Sequence, residues 1–252
     1  MPKMTLLDMT QEILSDMSSD EVNSISDTAE AMQVASIIKS TYFNIIDGRD
    51  WPHLYQMFAL TGFADPDKPT HLSMSDSILD VDWLKYNIKL DVAEKDSFRD
   101  IIYKTPKEFM AILDNRDSTA SYVQVVEDDT TIELNVYNDR APSYYTSFDN
   151  ETIIMDAFNS ALESTLQGSK TQGYGKVYPT WTTSDSFIPD LPTQSFSYLV
   201  NEARATCFSR LQQSVDQKSE QHSVSQRRRM SQDAWRVADP HKYQSYGRTG
   251  KK

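Results

Sequence analysis

Cysteine is almost absent from this chain: Cys207 stands alone among 252 residues, so no intrachain disulfide can form and nothing points to an oxidising compartment. Its place in a helical pattern reads as a small buried apolar residue. Glycine is scarce too, and seven glycines leave little material for phosphate-cradling loops; both Gly-x-Gly-x-x-Gly and the P-loop pattern are missing. No apolar run approaches the ~18 residues needed to span a bilayer, and the N-terminus lacks a charged-then-apolar signal pattern. The expectation is a protein that begins soluble in a cytoplasm, with no membrane partner.

Catalytic signatures are missing as well. His53, His71, His222 and His241 are scattered, and none belongs to an H-x-x-x-H, H-E-x-x-H or Cys/His pattern, so neither a metal nor another cofactor is expected. No serine sits in a G-x-S-x-G elbow. Carboxylates are plentiful at Asp65/Asp67, Asp80/Asp82 and Glu127/Asp128/Asp129, but each cluster is expected beside turn-forming residues, where carboxylates are simply solvated. A hydrolase built on a carboxylate pair therefore rests on counting alone, and the expectation is a protein that is not an enzyme.

What the chain does have is an uneven distribution of charge. Residues 226–252 carry eight Lys/Arg against two Asp/Glu, and the preceding 225 carry 17 against 35, so a body of −18 is followed by an end of +6. An acidic body is poorly suited to gripping nucleic acid, because each phosphate contact needs a cation to displace counterions. A short segment of opposite sign can instead reach for a separate, complementary surface. Arg227, Arg228 and Arg229 form the sharpest basic run, and Trp235, Arg236, His241, Tyr243, Tyr246, Arg248, Lys251 and Lys252 add aromatic anchors and further cations. That mixture suits a protein interface, and it could also hold single-stranded nucleic acid. The bland alternative is a solvated helix face whose cations complement the dipole of a helix C-terminus.

Periodicity divides the chain. Leu6, Leu7, Met9, Ile13, Leu14 and Met17 predict a short helix ended by Ser18-Ser19-Asp20. Asp27 with Glu30 predicts a capping box for a longer helix of about 20 residues, roughly 30 Å, closing at Gly48. Beyond Trp51-Pro52 short strands are expected at 54–60, 71–74, 81–87, 101–103, 122–126, 131–137, 143–148 and 170–182, with inserted helices at 106–113 and 152–166. Gly173-Tyr174-Gly175 reads as a hairpin turn or strand bend. Helical spacing returns from Asp190 and Pro192 through Phe196, Leu199, Ala203 and Cys207, and a polar helix runs on to Trp235.

Three strings read together carry a resemblance. They are Val22 to Ala31 (VNSISDTAEA) with Val34 to Lys39 and Tyr42; Pro69-Thr-His71 with Trp83-Leu-Lys-Tyr86; and Phe187 to Pro192 (FIPDLP) with Phe196 to Ala203 (FSYLVNEA). In order and spacing the chain resembles the head-to-tail adaptor proteins of tailed bacteriophages, called tail tubular protein A in short-tailed phages. The similarity extends to about Trp235 and contains no catalytic signature.

The resemblance implies a structural virion protein at the neck, assembled in the host cytoplasm. It implies a twelve-fold ring that binds the portal protein, offers its far side to the tail nozzle or tail tube, and lets packaged DNA pass without specific binding. The expected fold is α+β: a helical bundle from the N- and C-terminal segments, an inserted β-rich, sandwich-like domain and an extended C-terminal tail. The expected boundaries are 1–50 and 186–235 for the helical parts, 51–185 for the insertion and 236–252 for the basic tail. Portal docking would fall to roughly Val237 to Lys252, helped by Arg227 to Arg229. The alternative is a nucleic-acid-binding assembly factor that acts through the same basic end.

Overall fold

In a computed structural model, residues 3–89, 94–116, 121–126, 132–212 and 217–232 are described. The helices are α1 (Leu6–Asp16), α2 (Ala29–Asp47), α3 (Pro106–Asp114), α4 (Phe196–Leu211) and α5 (Gln217–Gln232). The strands are β1 (Tyr55–Phe58), β2 (Thr61–Gly62), β3 (His71–Ser73), β4 (Ile78–Asn87), β5 (Phe98–Tyr103), β6 (Tyr122–Val126), β7 (Glu133–Tyr137), β8 (Tyr144–Thr146), β9 (Thr152–Met155) and β10 (Thr171–Val177). They fall into two units, one of Met1–His53 with Thr180–Lys252 and one of Leu54–Pro179.

The first unit begins with α1, whose Thr5 Oγ1 accepts the Asp8 N–H at 3.1 Å while Asp8 Oδ2 accepts the Thr5 N–H at 3.0 Å. This reciprocal cap satisfies two otherwise orphaned amides and fixes the start of the helix. The cap of α2 differs from the one the sequence predicts. Thr28 caps it, accepting the Ala31 N–H at 3.0 Å, while Asp27 turns back to accept the N–H groups of Asn23 and Ser24 at 2.8 and 2.9 Å. Leu6, Met9 and Ile13 of α1, Val34, Ile38 and Tyr42 of α2, and Phe196, Leu199, Ala203 and Cys207 of α4 are fully buried. Helices α1 and α4 are also tied by Arg204, whose guanidinium reaches Glu12 and Asp16 at 2.7 Å each.

Helix α5 is different. Ser219 and Ser223 are its buried residues among those described, and Val224 is 53% exposed. It rests on α4 through polar groups: Gln226 donates to Ser197 Oγ at 2.8 Å and accepts from Asn201 at 3.2 Å, and the Ser223 hydroxyl donates to Glu202.

In the second unit eight strands form one mixed sheet in the order β1-β10-β4-β5-β8-β9-β3-β2, antiparallel except for the β5–β8 pair. Strands β6 and β7 form a separate hairpin. Phe109 and Leu113 of α3 join Val125, Leu134 and Val136 of the hairpin and Leu72, Leu84 and Met155 of the sheet in one apolar cluster. At the joint between α3 and the sheet, Arg116 donates to the carbonyl oxygens of Asn135 and Asp156 at 2.7 Å and to Asp156 Oδ2 at 2.9 Å. The other Asp156 oxygen accepts the N–H groups of Ser143 and Tyr144, both at 2.8 Å.

The expected fold class is thereby corrected. Among the described residues the largest element is one curled eight-stranded mixed sheet accompanied by five short helices, and not a helical bundle that carries an inserted sandwich-like domain. Alternating side chains mark a strand but not its partner. Here eight strands pair edge to edge in one sheet, and a helix and a separate two-stranded hairpin share its apolar cluster. Among its described side chains, helix α5 shows no buried apolar stripe of the kind a bundle needs. The helix expected at 152–166 is also absent: Thr152–Met155 is a strand paired with both β3 and β8, and Ile153, Ile154 and Met155 are buried in succession, as in a strand covered on both faces. The tail expected at 236–252 lies outside the described residues.

Candidate functional site

Where α2 ends, Gly48 caps the helix and Arg49 follows at once, its guanidinium 4.9 Å from the centre of the Trp51 ring. Trp51 is held still by its own hydrogen bond, the indole N–H donating to the Ile45 carbonyl at 3.0 Å. Helix α4 crosses here and contributes Tyr198, Glu202, Thr206 and Arg210, and α5 contributes Arg227. Together these groups line an open cleft of about 530 Å³ in the first unit.

Its described lining holds three guanidinium groups, Arg49, Arg210 and Arg227, against the single carboxylate of Glu202. In a chain whose first 225 residues sum to −18, this is a local reversal of sign. Burial pushes the Tyr198 phenol up; the Glu202 carboxylate adds to that shift, while Arg227 and the Ser223 hydroxyl oppose it. The phenol therefore stays protonated at neutral pH.

Guanidinium groups present fixed forks of N–H donors that match carboxylate and phosphate oxygens. The cleft can therefore hold an anion, with the Ser40, Thr41 and Thr206 hydroxyls as further donors. No histidine is among its described lining residues.

Of the residues singled out in the sequence, Arg227 is brought to this cleft, on the exposed surface of α5. Arg228 and Arg229 lie on the backbone of the same helix. Trp235, Arg236, His241, Tyr243, Tyr246, Arg248, Lys251 and Lys252 lie outside the described residues. Sequence reasoning missed Arg49 and Arg210. Each is a single arginine among unlike neighbours, and only the packing of α2 against α4 joins them. The weak local signal was position, since both sit at the end of a helix, where a cation complements the dipole.

The other candidates separate. His53 donates its Nε2–H to the Asp190 carbonyl at 3.0 Å, and burial holds its pKa down. His71 is buried in β3 and His222 is exposed on α5. No group of His, Cys, Asp and Glu suited to a metal occurs among the described residues. Asp65 caps a turn by accepting the Asp67 N–H at 3.0 Å, whereas Asp80 and Asp82 lie within β4 rather than beside a turn. Glu127, Asp128 and Asp129 lie outside the described residues. Gly173-Tyr174-Gly175 is the middle of β10 at a register shift, where a Cβ on Gly175 would stand 2.0 Å from the Asp80 carbonyl oxygen. Cys207 is fully buried, and burial pushes its thiol up to about 12.

Compared with protein-family models and with curated proteins, the chain matches none.

Proposed function

We propose that this chain is a non-enzymatic structural protein of a phage virion, a head-to-tail adaptor whose copies form a ring between portal and tail and extend the DNA channel. The observation that carries the reading is the break from an acidic body of −18 to a basic end of +6, with Arg227 exposed beside two further arginines where that end begins. Acidic walls let DNA slide without adhering, and a basic, aromatic end can seek an acidic partner surface.

The three strings that carry the resemblance support the reading by where they lie. The first and third meet inside one unit, where the Tyr42 hydroxyl donates to the Asp190 carbonyl at 3.3 Å. Both halves of the second converge on two adjacent residues, the Pro69 carbonyl accepting the Leu166 N–H at 2.8 Å and the Tyr86 hydroxyl accepting the Gln167 N–H at 3.1 Å. Such residues hold structural joints together. A ring contact is heterologous and needs two different complementary faces on each copy.

Deleting Val237 to Lys252 tests the docking role. Truncated protein should fail to occupy portal-containing heads, and undiminished occupancy would refute it. The arginine cleft also favours a second reading, a nucleic-acid-binding assembly factor. Fluorescence anisotropy with DNA should then show a steep loss of affinity with salt, about 0.9 decades per decade of salt for each phosphate neutralised; a flat response removes this reading.

A further inference from the structure

The β6–β7 hairpin has two outer edges, and the fold treats them differently. The Asn138 N–H donates to the Ser121 carbonyl at 3.3 Å, so in this antiparallel pair Val123 and Val125 aim their backbone groups at β7, while Tyr122, Gln124 and Val126 aim theirs away from it. By the same alternation, the groups that β7 aims outward belong to Glu133, Asn135 and Tyr137. Those of Asn135 and Tyr137 are used within the fold: the Asn135 carbonyl accepts from Arg116 at 2.7 Å, the Tyr137 N–H donates to the Asp156 carbonyl at 3.4 Å, and the Tyr137 carbonyl accepts the Phe158 N–H at 2.9 Å. Among the described residues no strand pairs with β6 on its outer side.

Natural sheets guard a free edge with a very short strand, a charge, a proline or a cover. Strand β2 is guarded twice, since it has two residues and the Leu166 carbonyl oxygen stands 2.7 Å from where a Cβ on Gly62 would lie. Strand β6 shows none of these devices among the described residues. Its sequence Tyr-Val-Gln-Val-Val is rich in strand formers and free of charge, proline and glycine. Val125 is buried in the apolar cluster and Val123 packs against it, which fixes the facing of the strand; Tyr122 and Val126, 41% and 48% exposed, flank the exposed Gln124 on the opposite face.

We propose that the outer edge of β6 pairs antiparallel with β6 of a second copy of this chain, joining two hairpins into one four-stranded sheet about a two-fold axis at Gln124. The strand is self-complementary in that register. Gln124 faces Gln124 of the second copy, and Tyr122 of each copy faces Val126 of the other, an aromatic and β-branched pair of the kind that stabilises sheets. The outward N–H and carbonyl groups of Tyr122, Gln124 and Val126 then all find partners. Charge favours the same occupant. Each copy carries −12, so two copies approach most readily where neither presents a charge, and the Glu133 carboxylate, opposite Val126 within the hairpin, stands a strand away from the joint and accepts from Gln124 at 2.9 Å. A two-fold contact is isologous, whereas a ring needs a heterologous one, so this pairing goes beyond the adaptor reading and does not rest on it.

Cysteines placed on the exposed face of β6 read the register, because Cys207 is fully buried and stays out of the exchange. Under mild oxidation of the full-length protein, Gln124→Cys should give a disulfide-linked dimer, since residues opposite each other in a hydrogen-bonded pair have Cα atoms about 5.5 Å apart, within reach of a disulfide. Tyr122→Cys alone and Val126→Cys alone should run as single chains on a denaturing gel, their like positions lying four residues or about 14 Å apart. An equimolar mixture of those two variants should link. Without oxidant, sedimentation should show a dimer, and Gln124→Lys, which sets two ammonium groups face to face, should weaken it at least about five-fold. A protein that sediments as a monomer at about 100 μM, where even weak contacts associate, would overturn the pairing. So would a Gln124→Cys variant that does not link, linkage of Tyr122→Cys alone as strong as in the mixture, or a dimer indifferent to Gln124→Lys. No portal enters these measurements, so failure here is distinct from failure of the adaptor reading.

Discussion

Arg116 and two arginines of the cleft, Arg210 and Arg227, are the same residue in opposite circumstances. Arg116 and its partner Asp156 have side chains only 5% and 7% exposed, and the guanidinium is spent on two backbone carbonyls, a carboxylate and the Tyr137 ring at 3.9 Å. Arg210 and Arg227 are exposed at the rim of a cavity, within reach of a ligand. Residue type therefore says little about role; what matters is whether the molecule itself already uses the donors. A buried arginine tied to the fold on several sides is a fastener, and an exposed one keeps its face to solvent.

The comparison can be broken most severely at Arg116. Arg116→Ala should cost about 3–5 kcal/mol, because it strands the Asp156 carboxylate in a buried site, and chemical denaturation would show the lower midpoint. Arg116→Met should recover little of the loss, since it too leaves Asp156 unpaired.

Alkaline pH probes buried groups next. Burial pushes the Tyr145 phenol and the Cys207 thiol each up to about 12, above their ordinary values of 10.0 and 9.0. A folded-state pKa raised in this way contributes stability that is complete below the unfolded value and is lost as pH rises through the folded one. Stability should therefore fall between about pH 9 and pH 12, and Cys207→Ala should flatten the first part of that decline in a denaturation series.

The smallest effect belongs to the cleft. Arg210→Ala and Arg227→Ala should each shift stability by no more than about 0.5 kcal/mol. Together they should abolish any thermal stabilisation by inorganic pyrophosphate, which differential scanning fluorimetry would report. A large loss of stability in either single variant would show that these guanidiniums are fasteners after all.

Much of the local structure was legible in the sequence, and the assembly was not. The apolar spacing of Leu6 to Met17 and of Val34 to Ile46 marked α1 and α2 because helix burial repeats every three or four residues. The strand runs were legible for a similar reason, since Tyr, Val, Ile and Thr fit a pleated surface. Thr152 to Met155 was misread because a short run buried on both faces has no alternation to separate strand from helix. The single sheet was hidden because its order joins β1 to β10 and β5 to β8, pairings that no local pattern encodes. The cleft was half visible: Arg227 stood in a basic run, but Arg49 and Arg210 acquire meaning only when α2 and α4 pack together. The Asp80 and Asp82 carboxylates, expected beside turns, lie instead on a bulged strand, because the glycine-rich middle of β10 admits the bend.

The central claim is that this chain joins a portal to a tail, and electron microscopy of the purified protein mixed with portal tests it most directly. The account predicts a ring of the protein stacked coaxially under the portal, with the basic end of each copy on portal density. Portal particles that remain bare while the protein stays free, at concentrations well above micromolar, would contradict it.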